Sequence, residues 1–398
     1  MPPRPVSSPQ LDPRDWFTAD LTDLERQHLR RQVRQIDPLP HGLCRVEGRV
    51  CQHFAGNDYL GLAQHPELSE AARRALLEHG VGAGASPLVA GYSRWHRELE
   101  QRLADFEQTE AALLFPTGYA ANLGTIAALA SRGDTVFCDR HNHACVVDGC
   151  RLSGARLRVY RHTQLDRLER ELRDAQGARR RLIVTDAVFS MEGVVAPLAE
   201  LAALAERYDA LLVVDEAHGT GVWGPGGRGA CAAAGVAERV PVRIGTLSKA
   251  LGCLGGFVCG SQPLVDWLRN HARTQIYSTA LPAAVCAAAS RAVELLQANP
   301  NLPDQVWTVS NRLREGLREL GLPSWPGSQG PIVPVLIPDP ERLLAIAQGL
   351  IERGQLVAAI RPPTVPRNTS RLRISLSAAH SPSAIDALLD ALSQAAAH

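Results

Sequence analysis

Leu211-Leu212-Val213-Val214-Asp215-Glu216-Ala217-His218-Gly219-Thr220-Gly221 reads as a short buried strand that ends in acidic and imidazole side chains and runs into a glycine turn. A helix-length stretch, Ala196–Tyr208, precedes it, and another β-branched run, Val242–Gly245, follows. Strand, helix and strand in that order form a βαβ unit, whose strands are covered on both faces and so read as continuous apolar runs. Moving outward, the same alternation takes in Ala111–Phe115, Thr135–Cys138, Leu157–Tyr160, Leu182–Thr185 and Gly256–Cys259. The fold class is therefore α/β, with a mostly parallel central sheet in a large domain. In such sheets ligands bind beyond the carboxyl ends of the strands.

The flanks differ in character. After an Ala-rich helix at Pro282–Ala298, strands are expected at Ile332–Ile337, Val357–Ile360 and Arg371–Leu376, with helices at Glu341–Arg353 and Ser383–Ala397. This is a smaller α/β C-terminal domain. At the other end, about 15 residues rich in Pro and Ser read as a disordered leader. A charged helix is expected over Thr22–Ile36, with Arg26, Arg30 and Arg34 on one face at i, i+4 spacing. The expected division is a leader and helical segment over 1–50, a large domain over 51–285 and a small domain over 286–398.

Composition narrows the function. The 398 residues are 45% hydrophobic and 21% charged, with 42 Lys and Arg against 41 Asp and Glu. This balance lacks the basic field of a dedicated nucleic-acid binder. Nine cysteines without CxxC spacing suit a reducing cytoplasm rather than a disulfide scaffold. No run approaches the ~20 apolar residues of a membrane span, and the N-terminus has no export signal, so a cytoplasmic protein with no membrane partner is expected. Lys249 is the single lysine, and the other 41 basic residues are arginine. Arginine replaces a surface ammonium but never deprotonates to attack a carbonyl, which makes Lys249 a catalytic candidate.

Four strand ends carry useful chemistry. Leu211–Val214 leads to Asp215 and His218, Val242–Gly245 to Thr246 and Lys249, Ile183–Thr185 through Asp186 to Ser190, and Leu113–Phe115 to Gly118 and Tyr119 at a helix start. These are the groups pyridoxal phosphate requires: an amine for its aldehyde, a carboxylate for its ring nitrogen, and amides and hydroxyls for its phosphate. Asp215-Glu216-Ala217-His218 also spells a helicase box, but the phosphate loop that a nucleotide motor needs is missing. Gly80-Val81-Gly82-Ala83-Gly84 follows a helical stretch and not a strand, against a dinucleotide site. Cys138, His141, His143 and Cys145 lack the spacing of a zinc site, and no metal is expected. No GxSxG or HExxH occurs.

Thr246-Leu247-Ser248-Lys249-Ala250-Leu251-Gly252, with Asp215–Gly221 and Asn57-Asp58-Tyr59-Leu60-Gly61-Leu62, resembles the α-oxoamine synthases from about residue 20 to the C-terminus. The resemblance implies the pyridoxal-phosphate-dependent transferase fold (fold type I, that of aspartate aminotransferase) and condensation of an amino acid with an acyl thioester, with loss of carbon dioxide. It also implies that Lys249 binds the cofactor aldehyde and moves the Cα proton, Asp215 pairs with the ring nitrogen, and His218 and Ser190 bond the ring oxygen. His143 would stack on the ring, and Gly118, Tyr119 and Thr246 would hold the phosphate. Arg373, Asn57 and Thr364 would bind substrate, with Arg30 and Arg31 competing for the place of an acyl-side arginine. Arg361-Pro362-Pro363-Thr364-Val365-Pro366 and Thr369-Ser370-Arg371-Leu372-Arg373 resemble the biotin-pathway members, which use L-alanine and a pimeloyl thioester on coenzyme A or an acyl carrier protein. A glycine-using member with an acetyl or succinyl thioester, and a non-catalytic cofactor-binding protein, are the alternatives. The family implies a homodimer, with Thr279 reaching the partner's phosphate.

Overall fold

The structure, a computed structural model, describes residues 16–322 and 324–396. The expected leader lies outside the described residues. The N-terminal helix is α1, Trp16–Arg26, and not Thr22–Ile36. It buries none of its residues, so no apolar stripe extends it, and the chain turns at His28 with φ 55°. Arg30 and Arg34 therefore do not share a helical face with Arg26. The chain beyond the turn is held from outside, by Arg361 Nη2 donating to the Arg30 carbonyl at 2.7 Å and by Arg34 Nη2 donating to Gln348 at 3.1 Å.

Three strands follow: β1 Ile36–Leu39, β2 Leu43–Val46 and β3 Arg49–Phe54. A boundary at residue 51 would cut β3, and the pairing of β3 shows where it belongs. It runs parallel to a strand more than 300 residues away, Gln355–Ile360. The three N-terminal strands thus complete the sheet of the small C-terminal domain.

The large domain runs through helices α2 Pro66–His79 and α3 Arg94–Glu107, strand β4 Ala111–Phe115, helix α4 Gly118–Leu129, strand β5 Thr135–Asp139, helix α5 Ala144–Leu152, strand β6 Arg156–Tyr160, helix α6 Leu165–Asp174 and strand β7 Arg181–Asp186. A hairpin of β8 Val188–Phe189 and β9 Val194–Val195, helix α7 Leu198–Arg207, and strands β10 Ala210–Asp215, β11 Val242–Thr246 and β12 Gly256–Gly260 follow, and then helices Gln262–His271 and Ala283–Ala298, the second being the expected Ala-rich helix. The seven apolar runs read from the sequence are the seven strands of one sheet, in the order β4-β12-β11-β10-β7-β5-β6. Only β12 is reversed, paired antiparallel to both β11 and β4. Helices cover both faces, so every residue of β4, β5, β11 and β12 is buried, which is why these strands read as unbroken apolar runs. Full burial of each Leu, Ile or Phe there contributes about 1.5–3 kcal/mol.

The small domain adds β13 Ile332–Leu336, β14 Gln355–Ile360 and β15 Arg371–Ser375, in the order β1-β2-β3-β14-β15-β13. Helices Pro340–Glu352 and Pro382–Ala396 cover it. Because six of the seven strands of the large sheet point the same way, the loops after β4, β5, β7, β10 and β11 open on one edge. Strand β15 delivers Arg373 to the same place from the small domain.

Candidate active site

A cavity of ≈ 240 Å³ lies at that edge, lined among others by Gly118, Tyr119, His143, Asp215, Thr246 and Lys249. At its floor Asp215, the last residue of β10, is clamped on both carboxylate oxygens. Asn122 Nδ2 donates to one at 2.7 Å and the Ala217 amide to the other at 2.8 Å. Two arms thus aim a buried carboxylate that keeps a lone pair for a third partner.

Lys249 follows β11 and meets His218 Nε2 at 2.8 Å, while His218 Nδ1 meets the Tyr59 hydroxyl at 2.7 Å. Desolvation, reinforced by the Arg373 cation, outweighs the attraction of Asp215 and pushes the lysine down to about 8. His218 is held well below the imidazole range by burial and by the Lys249 and Arg373 cations, so it stands neutral between the phenol and the amine.

His143 caps α5, where its Nδ1 accepts the Cys145 amide at 3.3 Å and lies 2.9 Å from the Cys145 thiol. The Asp186 carboxylate accepts its backbone amide at 3.1 Å, and Tyr119 meets its ring edge-on at 6.3 Å between centroids. Desolvation holds its pKa below the ordinary value. The imidazole is thus fixed as a flat wall of the cavity. Burial and the neighbouring Asp215 charge push Asp186 well above the usual carboxylate range.

The start of α4 forms the anionic end. Thr117 Oγ1 caps Ala120 at 3.0 Å, which leaves the Gly118 and Tyr119 amides without a partner among the described residues. A Cβ on Gly118 would lie 2.9 Å from Thr246 Oγ1, so glycine keeps this cradle open. Thr246 itself donates to the Gly255 carbonyl at 2.8 Å. Free helix amides, an aimed carboxylate, a depressed lysine and a flat imidazole wall fit pyridoxal phosphate. Gly118, Tyr119 and Thr246 would hold its phosphate, and Asp215 its ring nitrogen.

Beside this cavity lies a second feature, a cation without a counter-ion. Arg373 is 5% exposed and donates only to neutral acceptors: the Ser190 carbonyl at 2.6 Å, Ser375 Oγ at 2.8 Å, Asn57 Oδ1 at 3.1 Å and the Tyr59 hydroxyl at 3.3 Å. No carboxylate pairs with it among the described residues. A buried guanidinium held in place yet not neutralised is a seat for an anionic ligand.

The other expected site residues are placed as follows. Asn57 sits on Arg373. Ser190 offers Arg373 its carbonyl, and its side chain does not line the cavity. Arg31 Nη2 donates to Thr364 Oγ1 at 2.9 Å, whereas Arg30 is spent on Glu25 at 2.8 Å, so Arg31 is the one that joins Thr364. Neither pair lines the cofactor cavity. Thr279 is exposed, outside the cavity of its own chain. Sequence reasoning missed Asn122, Tyr59 and Cys145. Asn122 had a signal, as the one polar amide in the apolar helix Gly118–Leu129. Among the described residues no group of three or more His, Cys, Asp or Glu is set to hold a metal.

The family model for aminotransferase class I and II matches residues 51–392. The chain is 49% identical to the 8-amino-7-oxononanoate synthase of Aromatoleum aromaticum over 96% of its own length and 98% of the relative's. It is 46% identical to the putative 8-amino-7-oxononanoate synthase of Desulforudis audaxviator, over 96% and 99%. The solved serine palmitoyltransferase from S. paucimobilis, with PLP and myriocin bound, superposes with a TM-score of 0.92 at 31% identity, over 96% of this chain and 97% of that one. The chain belongs to the class I and II aminotransferase family and, within it, to the 8-amino-7-oxononanoate synthases. Its cofactor is pyridoxal 5'-phosphate.

Proposed function

We propose that the chain condenses L-alanine with a pimeloyl thioester, releasing carbon dioxide and the free thiol and forming 8-amino-7-oxononanoate for biotin biosynthesis. The observation that carries this reading is the buried Arg373 beside Lys249: an α-carboxylate seat next to an amine able to lose a proton near neutrality. The relatives' shared name selects alanine and pimelate among the reactions such a site serves.

Bound cofactor supplies an aldehyde that captures the amino group and a protonated ring that accepts an electron pair from Cα. Asp215 keeps the proton on the ring nitrogen. Arg373, with Asn57 beside it, holds the substrate carboxylate, which a bidentate guanidinium does better than an ammonium. Lys249 Nζ takes the Cα proton, and its pKa of about 8 leaves a working fraction unprotonated at neutral pH. Alanine Cα then bonds to the acyl carbonyl carbon as the carbon–sulfur bond breaks, and the thiol leaves with a proton. The carboxylate departs as carbon dioxide, and a proton delivered through Lys249 replaces it on Cα. Neutral His218 keeps the amine within reach and adds no second charge.

The functional unit is a homodimer. Leu88, Val89 and Tyr277 are 54%, 80% and 71% exposed, and their segments adjoin, since the Ala280 amide donates to the Ala85 carbonyl at 3.0 Å. That apolar surface supports a second copy as the partner, with exposed Thr279 reaching the partner's phosphate in the proposed dimer. Mixing Lys249→Ala and Thr279→Ala subunits should restore activity in one of the two sites, and a mixed dimer that regains none would count against Thr279. The proposed compartment is the cytoplasm, which the nine free cysteines suit.

The reading is tested with purified holoenzyme, L-alanine and pimeloyl-CoA, following thiol release and product mass. Glycine with acetyl-CoA and serine with palmitoyl-CoA are the controls. Turnover of alanine with the pimeloyl thioester is expected, and turnover of either control pair alone would refute it.

A further inference from the structure

The seven-stranded sheet ends at β6, and beyond the carboxyl ends of β5 and β6 lies a cavity of ≈ 390 Å³ lined by Arg140, Val159, Tyr160, Arg161, Gln164 and Arg167. The Arg140 amide donates to the Tyr160 carbonyl at 2.8 Å and the Gln164 amide to the Arg161 carbonyl at 2.8 Å, which ties the arginine-bearing turns together. Gln164 is the N-cap residue of the ten-residue helix α6 but makes no side-chain cap, so the helix start faces this cavity uncapped. Arg167 pairs with Glu171 at 3.1 Å. Arg140 and Arg161 make no side-chain hydrogen bond or ion pair among the described residues.

An arginine-rich surface alone does not explain this. Other exposed arginines, such as Arg132, Arg151 and Arg180, also lack an acid partner, while Arg73 and Arg312 sit on Glu70 and Asp386; what sets Arg140 and Arg161 apart is that they line one cavity together with Arg167. Nor does protection of a sheet edge, which calls for charge along the strand. Arg156 and Arg158 lie within β6 and serve that purpose, whereas Arg140 and Arg161 lie past the strand ends. There they share the sheet edge with the active site, and Arg140 is three residues from His143. Four inter-strand steps separate β6 from β11, the strand that Lys249 follows, about 19 Å at the usual strand spacing. An extended pantetheine arm spans such a distance.

We propose that Arg140 and Arg161 form an anion site for the phosphate of the phosphopantetheine arm that carries the acyl group. The proposal rests on the thioester reading above and adds where the carrier is held. Both coenzyme A and an acyl carrier protein bear this arm, so the site recognises the chemistry they share. Charge-assisted bonds from two unpaired guanidinium groups draw the phosphate to the edge strand and leave the thioester end free to reach Lys249.

The test compares wild-type holoenzyme with the double variant Arg140→Gln, Arg161→Gln. Both side chains are exposed, so folding is not at stake. Calorimetric titrations use 4'-phosphopantetheine, pantetheine, coenzyme A and a phosphopantetheinylated acyl carrier protein. The variant should bind each phosphorylated ligand about ten-fold more weakly or worse, and pantetheine as the wild type does. The KM for pimeloyl-CoA should rise in step with kcat unchanged. Equal binding of phosphopantetheine by both proteins, no measurable wild-type binding, or an equal loss for pantetheine would overturn the proposal. So would a loss confined to coenzyme A, which would assign the contact to the nucleotide, or one confined to the carrier protein. Arginine-dependent phosphopantetheine binding without turnover of alanine and pimelate would instead leave the anion site standing and refute the acyl assignment.

Discussion

Lys249 makes the site's electrostatics measurable without catalysis. Its pKa falls from 10.5 to about 8 in the fold, with desolvation as the main cause. A basic group whose pKa is lowered on folding leaves the unfolded chain holding more protons between those two values, so stability rises with pH through that window. The folded protein carries the full penalty below pH 8 and loses it as pH climbs to 10.5. Integrated from pH 7 to pH 10, the gain is about 2.5 kcal/mol, and water in the open cavity screens it to roughly 1–2.5 kcal/mol. Lys249→Met removes the titrating group and keeps most of the stem's packing. In the apo protein, urea unfolding of wild type and variant at pH 7, 8.5 and 10 should show the variant favoured most at pH 7, with the difference shrinking by that amount. A difference flat with pH would refute a depressed lysine. One that grew with pH would mean the pKa is raised, and the site would lack the neutral amine its chemistry needs.

Other perturbations separate the remaining roles. Arg373→Ala should raise the KM for L-alanine at least about 30-fold, for the loss of a charge-assisted pair worth about 2–3 kcal/mol, and leave the KM for the acyl thioester near its wild-type value. An unchanged alanine KM in a folded variant would remove Arg373 from substrate binding. Asn122→Ala frees one arm of Asp215 and should shift the pH dependence of the bound cofactor's visible absorbance, with cofactor content at saturation unchanged. Gly118→Ala places a Cβ 2.9 Å from Thr246 Oγ1 and should weaken cofactor binding about ten-fold, read by equilibrium dialysis. Glu216 is a structural contrast, since its buried carboxylate accepts the Ala230 and Cys231 amides at 2.9 and 2.6 Å. Glu216→Ala should cost about 2–3 kcal/mol in denaturant titration, with alanine KM unaffected in the folded fraction.

What could be read in advance follows from how local each signal is. The inner strands of the large sheet were legible because burial on both faces leaves unbroken apolar runs, whereas the edge strand β6, with Arg156 and Arg158, is buried only at Tyr160; strand ends rich in polar groups announce a site before any pairing is known. The helix over Thr22–Ile36 failed because i, i+4 arginines are compatible with a helix and do not compel one. Without a buried stripe, tertiary contacts from Arg361 and Gln348 decided the conformation instead. The strand at 49–54 was not read in advance, since β3 finds its partner in β14 at the far end of the chain.

The same distance hides the substrate side of the site. His218 depends on Tyr59, 159 residues earlier, and Arg373 on Asn57, 316 residues earlier, so neither residue discloses its partner. This arrangement has a mechanical consequence. The cofactor groups sit on one rigid sheet, whereas the carboxylate seat is built where Arg373 of the small domain meets Asn57 and Tyr59 of the 56–62 loop and the Ser190 turn of the large domain. A group held by both domains keeps its aim only while they stay docked. Binding of the amino-acid carboxylate therefore tightens the docking that creates its own site, by the reciprocity that any linked equilibrium obeys. L-Alanine should slow amide hydrogen exchange in 56–62 and in β15 of the cofactor-loaded protein, and Arg373→Ala should abolish that protection. Protection that survives in the variant would mean that the carboxylate is held by the large domain alone.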